Sequence, residues 1–399
     1  MGMLVQFTLK NVLSFKEETT IDMTAVHAYK EHESNLIDIG RKERLLKVAA
    51  IYGANASGKS NLRFAMGIFQ SIVMESMNNV ADDEEMAIRK YYFPFLFEKE
   101  YEDSEFEIIM IIENFEYRYG FEYNAKCIVA EWLYRKNLET NRMITIFERT
   151  AKTVDFGASV RRECEMYKNQ IPEETLVLTM LNKFKLGTDV FHVIYTGIFD
   201  TLVLPPDFGE DRTFLKKYLP AIIENDKDQF IDFLTAIDTG MKDILCVDNE
   251  DDVRFPTVHV GKDGEQYFLD LFSESEGTIK SIMFYIYARV AISGNKVIFV
   301  DELNIKLHPL LLKFIIDLFY ESDSLSQLIY TTHDTTLMDK KFFRRDQIWF
   351  VQKDQFGYSG LSALSDFKVR SDASFEKDYL AGVYGGIPYL KEFSIKEGE

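Results

Sequence analysis

The sequence predicts an α/β fold: a parallel sheet with helical crossovers, joined to an antiparallel β-meander and a helical insertion. Three observations lead there. Residues 45–52 and 297–300 are continuous apolar runs, the form of strands buried on both faces. Strand-like and helical patterns alternate between about 275 and 351, which favours parallel strands with crossovers. Residues 105–150 hold four β-rich runs divided by polar punctuation, the pattern of a meander.

Taken in order, residues 4–13 alternate and predict an opening strand, with 19–23 as its partner. The buried run at 45–52 stops at Gly53. A helix is predicted over 60–77, where Leu62, Met66, Phe69, Val73 and Met77 recur at three- and four-residue intervals. The meander follows, in runs at 106–112, 117–123, 128–134 and 143–147. From about 155 to 245 the pattern is helical and acidic, with breaks expected at Pro172, Pro205-Pro206 and Pro220. A charged loop at 248–252 leads to short strands over 253–272. Then come a helix at 275–292, a strand at 297–300, a helix at 309–320 and strands at 327–332 and 348–351; the tail from 395 is expected to fray. This divides the chain at 1–150, 151–270 and 271–399, the middle part being a mainly helical insertion.

Composition narrows the function. The 399 residues are 46% hydrophobic and 28% charged, with 33 Phe and 21 Tyr, so the chain can build cores and is not disordered by composition. A formal charge of −19 argues against non-specific wrapping around DNA, which needs many cations to neutralise phosphates. Cys127, Cys164 and Cys246 are scattered and form no zinc spacing or CxxC pair. MGMLVQFTLKNVLSF lacks a basic start followed by a long apolar run, so no signal peptide is expected there, and no run approaches the ~20 apolar residues of a membrane span. A cytoplasmic protein without a membrane segment is expected.

Two segments carry chemistry. Gly53-Ala54-Asn55-Ala56-Ser57-Gly58-Lys59-Ser60 fits G-x-x-x-x-G-K-[ST] and sits between a predicted strand and a predicted helix, the context that phosphate-loop motif requires. Backbone N–H groups of such a loop, followed by a helix start, cradle phosphate. Lys59 is then expected on the β- and γ-phosphates of ATP and Ser60 on Mg²⁺. The second segment, at 297–302, is an apolar run ending in Asp301-Glu302. An acid ending a buried strand is costly unless paired or metal-bound. Asp301 fits a Mg²⁺ ligand, and Glu302 a general base that activates water. More than half the chain separates Lys59 from Asp301, so a large insertion splits one site. His333, after the strand at 327–332, reads either as a γ-phosphate contact or as a capping or satisfied core histidine. Ser275 and Gly277, before a helix, read either as an anion-binding helix start or as a plain N-cap.

In this order the segments resemble an ABC-type ATPase head of the SMC/RecF/OLD group. Ser275-Glu276-Gly277-Thr278 resembles the signature motif of that group. Asp301-Glu302 with Leu307-His308-Pro309 resembles its Walker B and D-loop, and Thr332-His333-Asp334 its switch-histidine region. The stretches at 11–15, 51–62, 346–350 and 377–388 are similar to bacterial AAA/ABC-like ATPases of the RloA/AbiL type and to the ATPase component of the PARIS system. The resemblance implies an ABC-type P-loop NTPase head with nucleotide contacts from Gly53, Asn55, Ala56, Ser57, Gly58, Lys59, Ser60 and Asn61. It makes Glu302, Lys59 and His333 catalytic and Ser60 and Asp301 Mg²⁺ ligands. It places Ser275 and Gly277 on the ATP held by a second copy, and so implies a homodimer or larger homo-oligomer. It also implies a role in anti-phage, abortive-infection defence beside a separate effector, nuclease or Toprim-like and encoded nearby, with a phage protein as possible trigger. The sequence has no nuclease centre of its own: no D-x-D follows Asp301. The alternative implied is a RecF/SMC-like DNA-binding ATPase of repair or recombination. That needs a basic groove, for which 340–345 (KKFFRR) is the candidate; the same run also reads as a solvated turn.

Overall fold

The computed structural model describes residues 2–40, 43–77, 86–187, 189–237, 240–249, 252–370 and 373–388. The charged loop expected at 248–252 falls partly, and the tail from 395 wholly, outside these residues.

A six-stranded sheet lies at the centre. Its order is Leu202–Leu204, Val297–Val300, Gln327–Thr331, Val48–Tyr52, Ile348–Lys353, Ser359–Ala363. The first five strands are parallel and the last is antiparallel. Three of the four inner strands, Val297–Val300, Gln327–Thr331 and Val48–Tyr52, are buried along their whole length, which is why the first and third read as unbroken apolar runs. Their side chains alternate between two cores, Ala49 and Ile51 facing one while Val48, Ala50 and Tyr52 face the other.

In the first core, helix Lys59–Glu75 lies between this sheet and a seven-stranded antiparallel one. The second sheet runs Val154–Phe156, Met143–Thr150, Ile128–Asn137, Phe115–Tyr123, Ser104–Ile112, Gly2–Lys10, Thr19–Asp22. The meander is therefore present, and the opening strand and its partner extend it. Phe69 of the helix stacks on Phe121 (centroids 5.6 Å apart) and meets Phe7 and Phe106 edge-on. The second core packs helices Arg212–Asn225, Lys227–Ala236, Glu276–Gly294 and Pro309–Glu321 on the other face of the central sheet.

Residues 151–270 contribute to both cores. Helices Val177–Lys183 and Val190–Phe199 pack in the first, Arg212–Asn225 and Lys227–Ala236 in the second, and Leu202–Leu204 forms an edge of the central sheet. A buried polar cluster ties this segment to the meander. The Glu131 carboxylate accepts from the N–H groups of Val177 (2.7 Å) and Leu178 (3.0 Å) at a helix start, and from the Tyr119 hydroxyl (3.1 Å). Arg149 stands 3.8 Å from it and donates to the carbonyls of Thr175, Pro172 and Glu173. Burial pushes the Glu131 carboxyl up, and Arg149 pulls it back.

Two expectations are corrected. The run at 45–52 is two strands, Arg44–Leu46 and Val48–Tyr52, divided at Lys47. The buried Lys47 ammonium donates to the carbonyls of Tyr320 and Ser322 at the end of helix Pro309–Glu321, where a cation offsets the helix dipole. Pro220 does not end a helix but lies inside Arg212–Asn225. There Leu215, Leu219 and Ile222 bury one face against the core, and that packing outweighs the lost hydrogen bond.

Candidate functional site

The carboxyl ends of three adjacent parallel strands converge on one crevice: Tyr52 leads into the phosphate loop, Val300 into Asp301-Glu302, and Thr331 into Thr332-His333. Ligands of open α/β sheets bind at such edges. The crevice has a volume of about 520 Å³ and is lined by Asn55 to Asn61, Glu302, His333 and Lys353.

Both motif glycines have a steric reason. A Cβ on Gly53 would stand 2.5 Å from the carbonyl oxygen of Val351 in the neighbouring strand. Gly58 has φ 118°, and a Cβ there would meet Ser359 Oγ at 2.5 Å and Ser14 Oγ at 3.0 Å. These two hydroxyls, 2.8 Å apart, clasp the loop: Ser359 bonds the Ser57 carbonyl (2.6 Å), and the Asn61 amide donates to Ser14 (2.8 Å).

Helix Lys59–Glu75 begins with no side-chain cap, so its first N–H groups are available to an anion. The Ser57 hydroxyl is buried with no hydrogen-bond partner among the described residues. Lys59 is buried, and its ammonium donates to the carbonyls of Gly53 (2.7 Å) and Ala54 (2.9 Å). Burial lowers its pKa, while Glu302 and Asp301 raise it. An orphaned hydroxyl, uncapped N–H groups and a desolvated cation fit a polyphosphate.

Asp301 is buried, and its Oδ1 accepts from Thr331 Oγ1 at 2.5 Å; the same hydroxyl accepts from the Glu302 N–H at 2.8 Å. This holds Glu302 at φ 47°, a left-handed conformation a glutamate adopts only under constraint. Glu302 lines the crevice, and Asp301 is not among the residues that do. Among the described residues no cluster of three His, Cys, Asp or Glu could hold a metal. Ser60 and Asp301 are the residues that would meet an ion of the Mg²⁺ kind, which takes few protein ligands and completes its shell with phosphate and water.

His333 is exposed, and its Nε2 lies 3.4 Å from the Asn304 amide nitrogen. Asn304 Oδ1 in turn accepts from Thr332 Oγ1 (2.9 Å), which accepts from the Asp334 N–H. These bonds orient the amide so that its nitrogen faces His333. Ser275 caps helix Glu276–Gly294 by accepting from Thr278 N, and a Cβ on Gly277 would meet the Lys306 carbonyl at 2.7 Å. Neither lines the crevice that holds Lys59. On the same helix Lys280 lies 3.4 Å from the Glu302 carbonyl oxygen, and burial, with Lys306, lowers its pKa to about 8.

Sequence reasoning did not assign Arg63, Thr331, Asn304 or Lys353 to this neighbourhood. Burial depresses the Arg63 guanidinium while Asp301 and Asp207 pull it back, and its Nε has no hydrogen-bond partner among the described residues. Its signal was present: it follows Lys59 by four residues, one helical turn. The basic run at 340–345 is divided by the fold. Arg344 is fully buried, pairs with Asp346 at 2.8 Å and donates to the carbonyls of Val26, Tyr29 and Glu31. Arg345 lies over the Tyr29 ring. The run is therefore partly structural, and the basic groove needed by a DNA-binding reading loses one of its four cations.

A family described as "AAA domain, putative AbiEii toxin, Type IV TA system" matches residues 48–163 and 200–339, well over half the chain. The chain belongs to this AAA family. The phosphate loop, Asp301, Glu302, His333, Ser275 and Gly277 all fall inside the matched segments of this AAA protein. Among solved structures, an SMC head bound to the C-winged helix domain of ScpA is 14% identical, with a TM-score of 0.45, covering 95% of this chain and 99% of that one. The SMC head domain from Thermotoga maritima is 13% identical, with a TM-score of 0.43, covering 92% and 100%. No curated protein matches this AAA chain significantly. None of its described helices is long and apolar enough to cross a membrane.

Proposed function

We propose that this AAA protein binds and hydrolyses ATP as an ABC-type head and works in anti-phage, abortive-infection defence beside a separate effector. The observation that carries the catalytic part is one crevice lined by the phosphate loop, Glu302 and His333 at the ends of adjacent parallel strands. Lys59 and the loop N–H groups hold the phosphates. Ser60 and Asp301 hold Mg²⁺, which when bound neutralises charge on the phosphate oxygens. Glu302 takes the proton of the attacking water, and His333, held by Asn304, donates or accepts at the γ-phosphate edge. Ser275 and Gly277 stand outside their own crevice and serve the ATP of a second copy, so that nucleotide joins two heads. The defence role rests on the family, whose description names a toxin of a type IV system, and on the resemblance to RloA/AbiL and PARIS ATPases.

Two variants test this together. Lys59→Ala is expected to lose ATP binding by calorimetry, and Ser275→Arg to keep binding but lose turnover. Mixing them is expected to restore part of the activity, since one intact composite site forms per mixed dimer. Ser275→Arg with full turnover, or a mixture as inactive as its parts, would remove the shared site. ATP binding by Lys59→Ala at wild-type affinity would remove the phosphate loop itself.

A further inference from the structure

A second cavity, of about 300 Å³, adjoins the phosphate crevice and shares two residues with it, Asn61 and Lys353. Its wall is apolar, formed by Leu13 and by the loop that carries Phe93, Phe95 and Phe97. We infer that it is the base subsite of the bound nucleoside triphosphate, with the base stacked on the Phe93–Phe97 loop and Lys353 between base and phosphates. The inference rests on the reading of the neighbouring crevice as a triphosphate site.

The loop is built to keep aromatic rings in water. Phe95 is buried and stacks on Tyr358 with centroids 4.6 Å apart and planes 16° from parallel. Phe97 meets Phe95 edge-on at 5.4 Å yet is 74% exposed. Phe93 is 37% exposed and packs on Phe64. Backbone bonds tether the loop to the first strand's exit: Leu13 N–H donates to the Phe93 carbonyl (2.7 Å), and the Phe95 N–H to Asn11 Oδ1 (3.1 Å). Gly357 takes φ 90°, and a Cβ there would stand 2.6 Å from the Phe97 ring, so this glycine makes room for the ring. Tyr358 is held in turn by Glu98 (2.6 Å).

Rigidly exposed aromatic rings leave apolar surface in water that a flat ligand would cover. A volume near 300 Å³ is at the small end of ligand pockets, enough for a base with part of its sugar. The choice of occupant follows from position. The cavity opens at Asn61, on the first turn of the helix that carries Lys59, so a ligand whose phosphates lie on the loop extends into it. Lys353 ends strand Ile348–Lys353, two residues beyond the Val351 carbonyl that packs on Gly53. No partner of its ammonium is found among the described residues, and it lines both cavities. That is where a cation meets the phosphate nearest the sugar. An apolar segment of another protein chain is the other candidate occupant, and the test separates the two.

The test compares ATP with inorganic tripolyphosphate, each with Mg²⁺, by calorimetry on the full chain. Wild type is expected to bind ATP at least five-fold more tightly than tripolyphosphate, a comparison that needs no variant to fold. Phe97→Ala and Phe93→Ala are expected to weaken ATP by roughly 5- to 100-fold, the range for one lost base–aromatic stack, and to leave tripolyphosphate within two-fold. Phe97→Tyr, which keeps a ring, is expected to bind ATP as wild type does. ATP affinity unchanged in both alanine variants would overturn the subsite and favour a protein occupant, while leaving the triphosphate reading intact. Equal weakening of both ligands would also overturn it, since the variants would then be disturbing the phosphate loop. A wild-type chain that binds neither ligand would remove the triphosphate reading and the subsite with it.

Discussion

Glu302→Gln is expected to bind Mg-ATP at wild-type affinity and to turn it over at least a hundred-fold more slowly. The amide keeps the shape of the carboxylate and loses its capacity to take a proton, and general bases contribute about 10²- to 10⁴-fold. The variant should spare the local structure, because the backbone at 302 is fixed by the Thr331 hydroxyl and not by the Glu302 side chain. With hydrolysis blocked and both composite sites filled, the ATP-bound dimer should accumulate and elute ahead of the nucleotide-free chain on size exclusion. Wild-type turnover in this variant would remove Glu302 from the role of base and turn attention to His333 and its Asn304 partner.

Arg149→Ala is expected to cost the fold about 3–5 kcal/mol, the range for breaking a buried ion pair by removing one partner. The substitution leaves the fully buried Glu131 carboxylate without its cation, and three backbone carbonyls without their donor. Those carbonyls belong to the segment that enters helix Val177–Lys183, so the loss should detach that helix from the meander. The midpoint of urea unfolding checks the magnitude. Because the two residues form one cluster, Arg149→Ala combined with Glu131→Ala should cost less than the sum of the single changes. A loss below ~1 kcal/mol for Arg149→Ala would show that water replaces the guanidinium without penalty.

The parts of the site that were legible in sequence are those whose chemistry is local. Gly53 to Ser60 declares itself because close backbone approach, helix start and cation all fall within eight consecutive residues. Asp301 and Glu302 were legible because two acids ending an apolar run break the ordinary pattern of a buried strand. Thr331 and Lys353 were not, since each reaches the site only through strand pairing: Val300 lies beside Tyr330, and Phe350 beside Tyr52. No periodicity within one segment encodes that adjacency. The fold errors have the same origin. Lys47 ends a strand because carbonyls at 320 and 322 are there to receive it, and Pro220 stays helical because a core lies beneath it. In both places a distant partner outweighed a local preference.

The serine clasp bears on how the protein comes into being at the ribosome. Ser359 grips the carbonyl of Ser57 from 302 positions further along the chain, and Ser14 closes the same clasp from near the start. A nascent chain carries its glycine loop early but lacks the Ser359 half of the clasp until the last strand of the central sheet has been made. Growing polypeptide should therefore stay blind to ATP through most of its synthesis and acquire nucleotide competence late and at once. Half-made copies would then be unable to engage ATP, and so unable to pair through it, before they are finished.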